Sequence, residues 1–166
     1  MDKLIIKGGA DLSGEIAIKG SKNSALPIMV SALLSEDTLK LKNIPNLVDI
    51  ENMSKLLRNY GAIIKSNSDN IEINCKKIIN KDADYDIVRK MRASILILGP
   101  LLSRFGKAKI SLPGGCAIGT RPIDIHLDGL KKLGAKFKVE NGYVVGQVNN
   151  QLIGSHIKLS FPSVGA

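Results

Sequence analysis

The feature that most constrains this chain is an internal repeat of about seventy residues, each copy one supersecondary unit. Ser24-Ala25-Leu26-Pro27-Ile28-Met29-Val30-Ser31-Ala32-Leu33-Leu34-Ser35 shares its small and aliphatic character with Ser94-Ile95-Leu96-Ile97-Leu98-Gly99-Pro100-Leu101-Leu102-Ser103. Both are expected to be helices. A strand follows each, Thr38–Leu41 in the first copy and Ala108–Leu112 in the second. An amphipathic helix comes next. Ile50, Met53, Leu56 and Tyr60 recur at helical spacing in one copy, and Ile123, Leu127, Leu130 and Leu133 in the other. Both helices stop at a glycine, in Tyr60-Gly61-Ala62 and Leu133-Gly134-Ala135. A hairpin closes each unit: Ile63–Lys65 with Ile71–Ile73, and Lys136–Lys138 with Tyr143–Val145. The turns, Ser66–Asn70 and Glu140–Gly142, are built of turn formers.

The unit is therefore helix, strand, helix, strand, strand. A leading strand precedes it, Glu15–Lys19, and recurs as His156–Leu159. Ser160 to Ala166 then stands where Gly20 to Ala25 stands earlier, at the opening of a third unit. Repeat units bury their cores against neighbours, so two units and the start of a third are expected to leave the core open. The chain is accordingly expected to be the N-terminal piece of a longer protein, with self-association through the incomplete domain. The core must be aliphatic, because apolar residues are 44% of the chain while aromatics are 4%, without Trp.

Charge and composition narrow the classes of function. Lys and Arg number 24 against 15 Asp and Glu, a net charge of +9, which favours anionic partners. The charges are single and scattered rather than blocked. Nucleic-acid binding is not expected, since the three Phe and three Tyr are dispersed and offer no stacking platform. Membrane insertion is not expected either. The longest apolar stretch, Ala93 to Leu102, is interrupted by Ser94, Gly99 and Pro100 and is too short to cross a bilayer. Met1 to Gly9 reads as a strand with polar breaks, not a signal peptide. Cys75 and Cys116 make no disulfide framework. These readings give a reduced, soluble, cytoplasmic protein. His126 and His156 have no second ligand at metal spacing, and no Walker motif or dinucleotide fingerprint occurs, so neither metal nor cofactor is expected.

The loop Pro113-Gly114-Gly115-Cys116-Ala117-Ile118-Gly119-Thr120-Arg121-Pro122 is the candidate reactive centre. Its glycines allow backbone angles closed to other residues. A thiol there can serve as acid or nucleophile, and Arg121 can stabilise its thiolate. Cys75, at the end of a hairpin, reads instead as a small hydrophobe. Thr120-Arg121-Pro122-Ile123-Asp124 opens the second amphipathic helix, with Thr as N-cap and Pro in the first turn. A helix start favours anions, and Arg121 adds a bidentate fork. Asp124 can accept hydrogen bonds from a sugar or base, or simply complement the helix dipole. Lys22, opening the first core helix, has the wrong sign for the dipole. An anion held between lysine and helix would explain it; an ordinary surface lysine is the alternative. Arg89-Lys90-Met91-Arg92 repeats the oddity at the second core helix. Pseudo-symmetric packing would bring Lys22, Arg92 and Arg121 to one end of the molecule.

Together these residues resemble the UDP-N-acetylglucosamine 1-carboxyvinyltransferase family of enolpyruvyl transferases. The resemblance lies in Lys19-Gly20-Ser21-Lys22-Asn23-Ser24-Ala25, Met91-Arg92-Ala93-Ser94, Leu112 to His126, and Ser163-Val164-Gly165-Ala166. It implies an α/β fold, an inside-out α/β barrel of repeated helix-strand-helix-strand-strand units, incomplete in this chain. Residues 1–20 would be a crossover segment belonging to a second, absent domain. Residues 21–166 would form the first domain, two units plus the start of a third. The implied reaction moves the enolpyruvyl group of phosphoenolpyruvate to the 3′-hydroxyl of UDP-N-acetylglucosamine and releases phosphate, opening peptidoglycan synthesis. Cys116 would be the general acid and the target of fosfomycin. Lys22, Asn23 and Arg121 would bind phosphoenolpyruvate. Arg92, Arg121, Pro122, Ile123, Asp124, Ile125, Ser163 and Val164 would bind the UDP-sugar. The sister enzymes acting on shikimate 3-phosphate share the fold but lack the cysteine loop. One departure is Phe161-Pro162, which stands where many relatives carry a lysine. The general base would lie in the absent domain, so the isolated chain is expected to be inactive.

Overall fold

The computed structural model describes residues 3–9, 11–79, 88, 91–112 and 123–163. Within them the two units are built alike. The first comprises α1 (Lys22–Ser31), a 3-10 turn (Ala32–Leu34), β1 (Thr38–Leu41), α2 (Val48–Asn59), β2 (Ile63–Asn67) and β3 (Asn70–Asn74). The second comprises a 3-10 helix (Arg92–Ile97), α3 (Leu98–Phe105), β4 (Lys107–Ser111), α4 (Asp124–Lys132), β5 (Lys136–Glu140) and β6 (Tyr143–Gln147). Each unit folds one three-stranded antiparallel sheet, ordered β1-β3-β2 and β4-β6-β5. The hairpin's second strand is central in both. The connection from β1 to β2 therefore passes through α2 and skips one strand position, and α4 does the same in the second unit.

The repeat extends to individual hydrogen bonds. Tyr60 N–H donates to the carbonyls of Leu56 and Leu57, and Leu133 N–H to those of Gly129 and Leu130. Gly61 and Gly134 follow at φ 98° and 99°, the left-handed geometry that ends a helix and favours glycine. The chain after each hairpin then returns to the same place: Ile79 N–H donates to Tyr60 O at 2.7 Å and Ile153 N–H to Leu133 O at 2.8 Å.

Four expectations need correction. The second core helix is not one helix but a 3-10 segment followed by α3. The 3-10 segment ends at Ile97, and Pro100 stands in the first turn of α3, where a missing N–H is tolerated. The first hairpin turn is shorter than expected: Asn67 already pairs with Asn70, leaving Ser68 and Asp69 as the turn, with Ser68 at φ 54°. The α4 helix begins at Asp124 with Ile123 flanking it, rather than at Thr120. The leading strands do not form: Glu15–Lys19 and His156–Leu159 carry no strand, nor does the described part of Met1–Gly9. A strand exists through a partner's ladder, and Ile16 and Ile18 stand 86% and 81% exposed with no sheet beside them.

The two units share one aliphatic core. Ala25, Leu26, Met29 and Val30 of α1 pack with Ile50, Met53, Leu56 and Leu57 of α2 and with Ile95, Leu98, Leu101 and Leu102 of the second unit. Two polar contacts stitch the units together. The Tyr60 hydroxyl, on a fully buried side chain, donates to the Lys109 carbonyl of β4 at 3.1 Å. The Arg104 guanidinium donates to the carbonyls of Leu33, Ser35 and Cys75 at 3.0, 3.2 and 2.8 Å. One side of the second unit is less covered: Leu130 and Leu133 are half-buried where Leu57 and Tyr60 are fully buried.

Candidate functional site

The approach to α1 is set by a close backbone crossing. Gly20 N–H donates to the Asn43 carbonyl at 3.1 Å, and a Cβ at Gly20 would collide with that oxygen. Asn43 is itself left-handed, at φ 57°. This contact fixes the segment entering α1 against the loop entering α2. Ser21 is extended and its side chain makes no cap hydrogen bond, so the first N–H groups of α1 have no side-chain acceptor there. Pro27 lies inside α1 and cannot donate to the Asn23 carbonyl one turn earlier, which frees that oxygen from the helix ladder. Asn23 is exposed.

Lys22 is the first residue of α1, and its Nζ lies 2.7 Å from Oδ2 of Asp49 in the first turn of α2. The ammonium that sits unfavourably on the α1 dipole thus has a carboxylate within the chain, and that carboxylate is favourably placed on the α2 dipole. A bound anion is therefore not required to explain Lys22. Its side chain nonetheless stays 42% exposed and open to a solute. Asp49 is the polar neighbour that sequence reasoning missed. Its only signal was an acid in the first turn of an amphipathic helix, which reads as ordinary dipole complementation.

Arg92 opens the 3-10 helix as an exposed side chain, directly after buried Met91. The 3-10 helix packs against α1 and α2, so Lys22 and Arg92 belong to neighbouring elements of one helical layer. Ser94, two residues on, is fully buried, and its hydroxyl has no hydrogen-bond partner among the described residues. The same holds, among the described residues, for Ser111, the last residue of β4. A buried unpaired hydroxyl costs about 1–3 kcal/mol; Ser94 lies two residues from Arg92, and Ser111 precedes the loop that holds Cys116.

Cys116, Arg121 and Pro122, with the rest of the loop 113–122, lie outside the described residues, as does Val164. The two ends that hold the loop are described. Leu112 N–H donates to the Gly142 carbonyl at the tip of the β5–β6 hairpin, at 2.8 Å. Ile123, at the far end, is 6% exposed, and its carbonyl accepts from Leu127 N–H at 3.1 Å to close the first turn of α4. Asp124 is exposed at that helix start. Ile125 turns to an apolar groove of about 260 Å³, lined also by Leu96, Gly99, Leu130 and Ile157. Ser163 is half-buried at the end of the described tail.

Cys75 behaves as the sequence suggested. It is fully buried, and desolvation pushes its thiol up to about 11, the Arg104 guanidinium pulling weakly the other way. It is protonated at neutral pH and inaccessible. Among the described residues no cluster of His, Cys, Asp or Glu could hold a metal, and no helix is long and apolar enough to cross a membrane.

This arrangement can be set beside known proteins. A family profile described as EPSP synthase (3-phosphoshikimate 1-carboxyvinyltransferase) matches residues 6–166. A UDP-N-acetylglucosamine 1-carboxyvinyltransferase of Shewanella amazonensis is 49% identical over 166 residues, all of this chain and 40% of the relative. Another of the same name, from Granulibacter bethesdensis, is 51% identical over 168 aligned residues, again all of this chain and 40% of the relative. The chain thus spans about 40% of the length of these relatives. Among solved structures, the enolpyruvyl transferase NikO from Streptomyces tendae superposes with a TM-score of 0.74 at 21% identity, covering 87% of this chain and 32% of that one. EPSP synthase from Acinetobacter baumannii superposes with a TM-score of 0.69 at 16% identity, covering 92% and 36%. These two likenesses establish the α/β fold.

Proposed function

The chain belongs to the EPSP synthase family of enolpyruvyl transferases, and from that premise we propose that it forms the N-terminal part of an enzyme transferring enolpyruvate from phosphoenolpyruvate to UDP-N-acetylglucosamine. The observation that carries this reading is 49–51% identity along the whole chain to transferases of that name. The family profile bears the name of the sister reaction on shikimate 3-phosphate, but the identity to the UDP-sugar enzymes favours the UDP-sugar acceptor.

The chemistry fits the residues. Cys116 protonates the methylene carbon of phosphoenolpyruvate, and C2 becomes electrophilic. The 3′-hydroxyl of UDP-N-acetylglucosamine attacks C2 and gives its proton to a base in the second domain, leaving a tetrahedral adduct. Loss of a proton from the methyl carbon and departure of phosphate restore the double bond. Lys22, Asn23 and Arg121 hold the phosphoenolpyruvate anion. Arg92, with residues 121–125, Ser163 and Val164, binds the UDP-sugar. Fixed cations stabilise charge that develops in the transition state. The loop 113–122, anchored at Leu112 and Ile123, serves in this reading as a lid carrying Cys116. Residues 1–20 act as a crossover to a second domain, which explains why Leu4, Ile5, Ile6 and Leu12 are 79–95% exposed here. The step opens peptidoglycan synthesis in the cytoplasm and is the target of fosfomycin.

The test is phosphate release by a full-length protein carrying this chain as residues 1–166. Release is expected with phosphoenolpyruvate plus UDP-N-acetylglucosamine. Release only with shikimate 3-phosphate, or with neither acceptor, would overturn the assignment.

A further inference from the structure

We infer that Asp49 is a positioning residue that aims the Lys22 ammonium at the anionic substrate. The inference rests on the reading of Lys22 as a phosphoenolpyruvate ligand. Its basis is the 2.7 Å contact between Lys22 Nζ and Asp49 Oδ2, which joins the first turns of α1 and α2. A lysine on its own is a flexible four-carbon stem that spreads over many rotamers. Here both ends of the stem are held. At its base, the Gly20 N–H bond to Asn43 ties the start of α1 to the loop before α2, and Ile44 N–H donates to Asp69 O at 2.8 Å to hold that loop on the hairpin turn. At its tip, Asp49 engages one of three ammonium donors and leaves two for an anion.

The pair is too exposed to be a major source of stability. The side chains are 42% and 33% exposed, and such ion pairs contribute little to folding. A deeply buried pair would argue for a structural role; this one lies where a solute can reach it. The neighbouring acid of α2, Glu51, is engaged by Lys55 at 2.7 Å and does not compete for Lys22.

The experiment compares Asp49→Asn, Asp49→Glu and Lys22→Ala in the full-length protein, with separate KM values for each substrate, kcat and a thermal melt. Asp49→Asn is expected to raise the phosphoenolpyruvate KM roughly 2- to 5-fold, the range for a partly exposed ion pair. The UDP-N-acetylglucosamine KM and the melting temperature should not move. Asp49→Glu should recover part of the loss. Adding Asp49→Asn to Lys22→Ala should have no further effect on the phosphoenolpyruvate KM. An unchanged or lowered phosphoenolpyruvate KM in Asp49→Asn, while Lys22→Ala is impaired, overturns the inference alone. An unchanged KM in Lys22→Ala overturns the underlying role of Lys22 and the inference with it. Equal losses for Asp49→Asn with and without Lys22 would show that Asp49 acts elsewhere.

Discussion

Replacing Arg104 tests how the two units are joined. Its Nη1 faces three carbonyls, those of Leu33, Ser35 and Cys75, at 3.0, 3.2 and 2.8 Å. That nitrogen has only two hydrogens, so the three contacts amount to two full bonds, one of them shared. Hydrogen bonds to a charged group contribute about 1.5–3 kcal/mol each, which sets the loss for Arg104→Met at roughly 3–6 kcal/mol. The ion pair from Nη2 to Glu36 adds little, because it is 3.4 Å long and Glu36 is 68% exposed. Glu36→Gln should therefore cost less than about 1 kcal/mol. Urea denaturation followed by far-UV circular dichroism separates the two. With a slope of about 2 kcal/mol per molar urea, Arg104→Met should lower the midpoint by roughly 2 M. A loss under about 1 kcal/mol, or equal losses in Arg104→Met and Glu36→Gln, would refute the clamp and leave hydrophobic packing as the main tie between the units.

Fosfomycin treatment of the full-length protein should add mass to the peptide containing Cys116 and leave Cys75 unlabelled, as judged by peptide mass spectrometry. Label on Cys75 would contradict its burial and raised pKa. The same thiol predicts a pH dependence. Its folded pKa lies above the unfolded value of 9.0, so its contribution is complete below pH 9 and disappears as pH rises through about 11. Each unit of that difference is worth about 1.4 kcal/mol, and in Cys75→Val this part of the alkaline slope in a stability titration should vanish. Gly20→Ala should raise the phosphoenolpyruvate KM and lower the melting temperature, because its Cβ meets the Asn43 carbonyl at the base of Lys22. The 166-residue chain alone should release no phosphate and should self-associate through the open face of the incomplete domain, where Leu130 and Leu133 are only half-buried. A monomer by sedimentation with measurable turnover would oppose both statements.

Where the sequence was legible, the interactions were local. The amphipathic helices, the glycine stops and the hairpins each follow from neighbours within a few residues, and α2, β1 and both hairpins appear where the pattern placed them. The expected leading strands failed for the complementary reason. Ile16 and Ile18 alternate as a strand should, yet a strand needs a partner that local pattern does not supply. The split of the second core helix at Ile97 has no signal in the local pattern; the 3-10 segment before it packs against α1 and α2. Lys22 and Arg92 stand at the helix starts where the charge pattern put them, while the contact of Asp49 with Lys22 left no signal in the sequence.

By itself the sequence determined the repeated unit, the kind of most regular elements within it, the aliphatic core and the family. These depend on periodicity and residue type, which are properties of neighbours along the chain. Only the tertiary structure decided the strand order with β3 and β6 central, the clamp of Arg104 across the units and the partner of Lys22. Each of these joins groups far apart in the chain, and no local preference records which distant group closes the contact. The repeat therefore specified the parts of the fold, and long-range packing chose how their polar ends meet.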